Sequence, residues 1–224
     1  MVQVKICGIT NLDDANVAVE AGADLLGFIF YPKSPRHIAP ERAKEIVLAT
    51  RCLSPVTRFV GVFVNESPER VWTVIDLAQL DLVQLHGSEP ASMVRDLSPR
   101  VYKSLRPRDA DEAHAAVAEY RSAIDGNVPA FIVDAYDAKQ FGGTGTRTDW
   151  EVAASIARAF PVLLAGGLTA DNVADAIATV QPWGVDVSSG VEHAPGLKDH
   201  AKVRRFVEAV KTLPRRREER QEEI

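Results

Sequence analysis

The stretch Val162-Leu163-Leu164-Ala165-Gly166-Gly167-Leu168-Thr169 decides how the whole chain is read. A short apolar run is what a strand buried on both faces of a parallel sheet looks like. Two glycines then free the backbone for a tight turn, and a helical pattern takes over at 170–180. The same strand–turn–helix unit recurs along the chain. Strands fit at 4–7, 25–30, 58–64, 82–86, 101–105, 130–134, 162–165 and 185–188. Helices fit between them at 12–21, 40–50, 68–79, 90–97, 109–124, 150–160, 170–180 and 199–213. Pro40, Pro68 and Pro90 suit a first helical turn, where the missing N–H costs nothing. Asp149 and Thr169 read as N-caps, and Ala21-Gly22 as a helix stop.

Strands alternating with helices predict a parallel sheet, and eight repeats within 224 residues predict a compact α/β (β/α)8 TIM barrel. The competing reading is an open doubly wound sheet. It is weakened because no G-x-G-x-x-G follows the first strand. No domain boundary is visible, so one barrel domain is expected over residues 1–213. Residues 214–224 (PRRREERQEEI) carry mixed charge and no apolar residue before Ile224, and are expected to form a disordered extension.

With 46% hydrophobic and 25% charged residues, the composition is that of an ordinary globular protein. A net charge of −5 argues against nucleic acid as a partner. No apolar run approaches the roughly 18 residues of a membrane span, so no membrane partner is expected. The chain opens directly on a strand, which predicts no secretory signal and a cytoplasmic location. Cys7 and Cys52 do not suggest a disulfide framework.

A barrel of this class carries its active site at the C-terminal ends of the strands. Cys7 ends the first strand, where a thiol is displayed rather than buried and becomes a candidate for chemistry. Packing is the ordinary alternative for a free cysteine. Asp134 ends the apolar run Phe131-Ile132-Val133, and an acid there needs a partner or a use. A thiolate base facing a carboxylic acid across a small substrate suits a proton-transfer isomerisation. Gly166 and Gly167 after the seventh strand, with Ser188, Ser189 and Gly190 after the eighth, read as a phosphate grip on consecutive strands. The expected substrate is therefore a small phosphorylated molecule.

Arg36, in the loop after the second strand, is a candidate for a carboxylate, with a solvated loop arginine as the alternative. Gln84 and His86 share a strand face and point inward together. The other histidines (His37, His114, His193, His200) and the cysteines show no metal-ligand spacing, so no metal is expected. The glycine-rich stretch 141–148 (FGGTGTRT) reads as a mobile flap or a plain linker. Strand alternation places Lys5 one layer below Cys7, on the inside of the barrel, where a lysine needs a partner. Asp186 shares a face with Ser188 on the neighbouring eighth strand. A Lys5–Asp186 pair is expected, its positive end favouring the Cys7 thiolate.

Blocks of sequence resemble one family. Val4-Lys5-Ile6-Cys7-Gly8-Ile9-Thr10 and Gly27-Phe28-Ile29-Phe30-Tyr31-Pro32-Lys33-Ser34-Pro35-Arg36 resemble the opening of the phosphoribosylanthranilate isomerases of tryptophan biosynthesis. So do Val83-Gln84-Leu85-His86-Gly87, Gly142-Gly143-Thr144-Gly145, Leu164-Ala165-Gly166-Gly167-Leu168 and Gly184-Val185-Asp186-Val187-Ser188-Ser189-Gly190-Val191-Glu192, in family order. The resemblance implies an Amadori rearrangement of a phosphosugar–anthranilate substrate, without a cofactor, by a monomer or a homodimer. It makes Cys7 the general base and Asp134 the general acid. It places Arg36 on the anthranilate carboxylate and the Gly166-Gly167 and Ser188-Ser189-Gly190 loops on phosphate, with Gln84, His86 and Asp186 near the substrate. One departure stands out: the Lys and Phe usual in the family after G-G-T-G are missing, and Arg147 stands in that segment.

Related readings fit less well. The sugar isomerase of histidine biosynthesis would favour an Asp at the first strand and two similar halves, and neither is present. Indole-glycerol-phosphate synthase would need catalytic lysines and a longer N-terminus. A non-catalytic phosphate-binding barrel would have little reason to hold both Cys7 and Asp134 at strand ends.

Overall fold

The computed structural model describes residues 1–124, 129–134 and 147–213. The expected extension 214–224 and residues 135–146, which hold most of the glycine-rich stretch, lie outside the described residues.

The chain alternates strand and helix: β1 (Gln3–Cys7), α1 (Leu12–Ala21), β2 (Leu25–Ile29), α2 (Pro40–Leu53), β3 (Arg58–Phe63), α3 (Pro68–Ala78), β4 (Leu82–Leu85) and α4 (Ala91–Leu97). Then come β5 (Val101–Leu105), α5 (Ala110–Tyr120), β6 (Phe131–Asp134), α6 (Arg147–Ala157), β7 (Val162–Ala165), α7 (Val173–Val180), β8 (Gly184–Val187) and α8 (His200–Lys211). The parallel strands close in the order β1-β2-β3-β4-β5-β6-β7-β8, with β8 pairing back on β1. The expected (β/α)8 barrel is what forms. An additional antiparallel pair, β9 (Glu192–Ala194) and β10 (Leu197–Lys198), stands between β8 and α8, and no sequence pattern announces it. No helix among the described residues is long and apolar enough to cross a membrane.

Two apolar layers hold the barrel. One joins the outward strand faces to the helices and includes Val4, Ile6, Phe28, Phe59, Val83 and Val185. The other fills the interior from successive strands: Leu25, Val60, Leu82, Tyr102, Ile132 and Leu163. The alternation between these sets is the period-2 pattern of a strand with a different neighbour on each face.

The helix signals work unevenly. Asn11 caps α1 through a bond from the Asp14 N–H to its side chain, and Gly22 closes that helix in the left-handed region. Pro40 and Pro68 occupy first turns, but Pro90 stands one residue before α4. Asp149 is not a cap, because α6 already starts at Arg147. Thr169 heads a turn that leads into α7 at Val173, with its carbonyl accepting from Asn172 and Val173. His86 and Ser188, expected inside strands, sit one position past β4 and β8. The His86 N–H still makes the last bond of the β3–β4 ladder, to the Phe63 carbonyl at 2.8 Å.

Beside β4 lies a buried ion pair that no pattern in the sequence announces. Lys103 Nζ meets Glu89 Oε2 at 3.1 Å, and both side chains are almost wholly buried. Glu89 also accepts from the backbone N–H groups of Asn65 and Gly87, at 2.8 and 3.0 Å. These contacts fix the turn that follows His86. Glu89→Ala strands a buried ammonium and two N–H donors. The expected cost is about 3–5 kcal/mol, read as a lower midpoint in urea with an unchanged slope.

Candidate active site

The strands end at a cleft of about 330 Å³ at the C-terminal mouth of the barrel. The candidate catalytic, substrate and phosphate residues line it, with Lys5 below. Cys7 comes from β1, Arg36 from the loop after β2, Gln84 and His86 from β4 and its end, and Asp134 from β6. Gly166 and Gly167 follow β7; Asp186 is on β8, and Ser188, Ser189 and Gly190 come just after it.

Cys7 is not displayed as expected. Only 6% of its surface is exposed, and its sulfur packs against Gly27 so closely that a Cβ there would meet it at 2.8 Å. Beneath it, Lys5 Nζ lies 2.8 Å from Asp186 Oδ1 and 2.9 Å from Gln84 Oε1, with the lysine fully buried. The pair expected from strand alternation is therefore present, and Lys5 and Asp186 are direct register partners across the β1–β8 seam. Lys5 favours the Cys7 thiolate as expected, but burial outweighs it. Burial pushes the Cys7 thiol up, and the nearby Lys5 and Lys198 ammonium groups only partly offset it. Burial also raises the Asp134 carboxyl above the ordinary carboxylate range. Arg106, 3.7 Å away, pulls it down, and Asp186 adds to the rise. Asp134 is a register partner of Ala165, so the acid stands at the edge of the glycine turn after β7.

That turn has the shape of an anion cradle. Gly166 and Gly167 both take positive φ, at +92° and +58°. Glycines at such φ let a ligand approach the backbone N–H groups of a turn closely. Gly190 packs so closely on the carbonyl of Leu168 that a Cβ would collide with it. The loops after β7 and β8 thus form one rim. Ser188 Oγ is buried at that rim with no hydrogen-bond partner among the described residues.

Arg36 is tied down from behind. Its Nε and Nη2 donate to Glu192 at 2.8 and 2.6 Å, a side-on fork that leaves the far edge of the guanidinium toward the cleft. Glu192 also accepts from Lys198 Nζ at 2.9 Å, and the same ammonium donates to the Cys7 carbonyl at 2.6 Å. Glu192 and Lys198 belong to β9 and β10. Sequence reasoning missed both, although the quoted block ending in Glu192 pointed at the first. Arg106 follows directly on β5, a strand end like the others, and nothing else in the sequence marks it. Cys52 is exposed on α2, away from the cleft. Among the described residues no group of three or more His, Cys, Asp or Glu side chains could hold a metal.

The fold and this lining place the chain among (β/α)8 barrels with a thiol, a carboxyl and a glycine–serine rim around one mouth. Residues 4–209 match the family model of N-(5'phosphoribosyl)anthranilate (PRA) isomerase. The chain is 50% identical to the N-(5'-phosphoribosyl)anthranilate isomerase of Geobacter sulfurreducens over 94% of its own length and 99% of the relative's. The phosphoribosyl anthranilate isomerase of Thermotoga maritima superposes with a TM-score of 0.85 at 42% identity, covering 95% of this chain and all of that one. A solved isomerase in complex with reduced 1-(o-carboxyphenylamino)-1-deoxyribulose 5-phosphate superposes with a TM-score of 0.81 at the same 42% identity and the same coverage. The chain belongs to the N-(5'-phosphoribosyl)anthranilate isomerase family.

Proposed function

We propose that this chain converts N-(5'-phosphoribosyl)anthranilate to 1-(2-carboxyphenylamino)-1-deoxyribulose 5-phosphate, a step of tryptophan biosynthesis, with Cys7 as general base and Asp134 as general acid. The observation that carries this reading is the single cleft that gathers a buried thiol, a carboxyl with a raised pKa and an anion cradle in a chain of this family.

The chemistry follows from the arrangement. The phosphate sits on the Gly166-Gly167 and Ser188-Ser189-Gly190 rim and anchors one end of the substrate. The protonated Asp134 carboxyl donates to the furanose ring oxygen. The C1'–O bond breaks while the anthranilate nitrogen lone pair forms C1'=N. The Cys7 thiolate then takes the C2' proton, and the C2'–H electrons form C1'=C2' as the iminium nitrogen recovers its pair. The resulting enol amine becomes the ketone when C1' gains a proton and the C2' hydroxyl loses one. Substrate and product are isomers, so no redox partner is needed. A neutral acid is required at Asp134, and its raised pKa favours one.

The test is a steady-state fluorescence assay with phosphoribosylanthranilate, run beside the aminoaldose of the histidine pathway. Turnover of the first is expected. Turnover of the histidine-pathway substrate alone would overturn the assignment.

Arg36 supports the same reading, because the guanidinium edge left by Glu192 faces the cleft. Arg36→Met removes a charge-assisted contact worth about 1.5–3 kcal/mol. KM is expected to rise by about 10- to 100-fold with kcat changed far less. Glu192 keeps Lys198 as a partner in that variant. An unchanged KM would remove Arg36 from the carboxylate site.

A further inference from the structure

Gln84 and His86 hold a constraint that the acid–base pair does not use. Gln84 Oε1 lies 2.9 Å from Lys5 Nζ and 3.1 Å from the Tyr102 hydroxyl. An ammonium can only donate, so the atom facing Lys5 must be the amide oxygen. Lys5 stays protonated there, because Asp186 and its neighbours raise its pKa against the pull of burial. The amide nitrogen is then the atom that faces His86 Nδ1, at 2.9 Å. It can only donate, so Nδ1 must be the acceptor. Burial and the cations Arg106, Lys5 and Lys103 push His86 down to about 3, so the ring is neutral and carries one proton. With Nδ1 unprotonated, that proton sits on Nε2.

Nε2 meets the Arg106 guanidinium at short range. Both are donors, and neither can accept from the other. Among the described residues no acceptor stands on Nε2, and the carboxylate of Asp134 lies 3.7 Å from Arg106 Nε. The contact leaves no room for an oxygen as it stands; an acceptor that displaced Arg106 from Nε2 would satisfy both.

We infer that Lys5 and Gln84 act as positioning residues that lock His86 in its Nε2–H tautomer, making His86 and Arg106 a paired donor for an oxygen of the bound substrate. The donor pair deepens the proposed function and rests on it, but the tautomer does not. In the closed order, β4 and β5 stand across the mouth from the rim after β8. The oxygen they bind therefore belongs to the part of the substrate remote from the phosphate, its carboxylate or a sugar hydroxyl.

The experiment is nitrogen-15 NMR of the histidine-labelled protein, with His86 assigned by loss of its signals in His86→Asn. In the ligand-free protein a protonated Nε2 and an unprotonated Nδ1 are expected. A protonated Nδ1 would overturn the relay. Gln84→Glu presents a carboxylate to Nδ1, and the two assignments should exchange. KM should then rise by about 2- to 10-fold, the loss of one neutral hydrogen bond. No exchange would show that Gln84 does not set the ring. Adding reduced 1-(o-carboxyphenylamino)-1-deoxyribulose 5-phosphate to the wild-type protein should move the Nε2 proton downfield. Binding that leaves it unmoved would remove the donor role. The tautomer is read without ligand, so it stands or falls separately from the turnover assay.

Discussion

Asp134→Asn is expected to lower kcat by about 100- to 10,000-fold and to leave KM within a few-fold. The amide keeps the shape of the carboxyl and cannot give up a proton to the ring oxygen, so ring opening loses its acid while binding is spared. The pH profile makes the assignment sharper. The working form needs Asp134 protonated and Cys7 ionised. Burial raises both groups above their ordinary values, and the thiol remains the weaker acid. The working form is thus the minor one of two tautomeric states. Its population rises as pH climbs to the Asp134 pKa, stays level, and falls above the Cys7 pKa. The acid limb of kcat/KM should lie above the usual aspartate range. In Asp134→Asn that limb should vanish, and the residual rate should keep climbing with pH until the thiol is ionised. Near-normal kcat in this variant would show that the acid lies elsewhere.

Cys7→Ala is expected to lower kcat by a comparable factor, again about 100- to 10,000-fold, with substrate still bound. Water cannot readily take the thiolate's place, because the site is 6% exposed. The variant should fold. Lys5 keeps Asp186 and Gln84 as partners, and the lost sulfur costs about 1 kcal/mol of packing, a shift of about 2–4 °C in Tm. A stable Cys7→Ala protein with normal kcat would end the assignment of Cys7 as base. In the proposed mechanism Cys7 moves a proton and forms no bond to carbon, so protein quenched during turnover should show no substrate adduct by mass spectrometry.

The barrel is legible in the sequence because its signal is periodic. Each unit repeats the same apolar run and turn, and the rule that sites gather at strand ends is enough to make Cys7, Asp134 and Gly166 neighbours. Alternation alone also reaches Lys5 and Asp186, since side chains two apart share a face. Glu192 and Lys198 are out of reach for the opposite reason. Their partners, Arg36 and the Cys7 carbonyl, lie 156 and 191 residues away, and the β9–β10 pair that carries them obeys no repeat. The burial of Cys7 escapes the sequence because it depends on close packing against Gly27 of the neighbouring strand, which no pattern of apolar residues encodes. Asp149 fails as a cap because its helix begins two residues sooner.

Lys5 and Asp186 are 181 residues apart, yet they meet at the seam where the last strand docks on the first. A nascent chain on the ribosome therefore carries the lysine long before its carboxylate is made. Any half-barrel that closed early would enclose an unpaired ammonium, at a cost of several kcal/mol. The ion pair penalises premature closure, so the completed ring and the cleft that spans it are expected to arise together, late in synthesis.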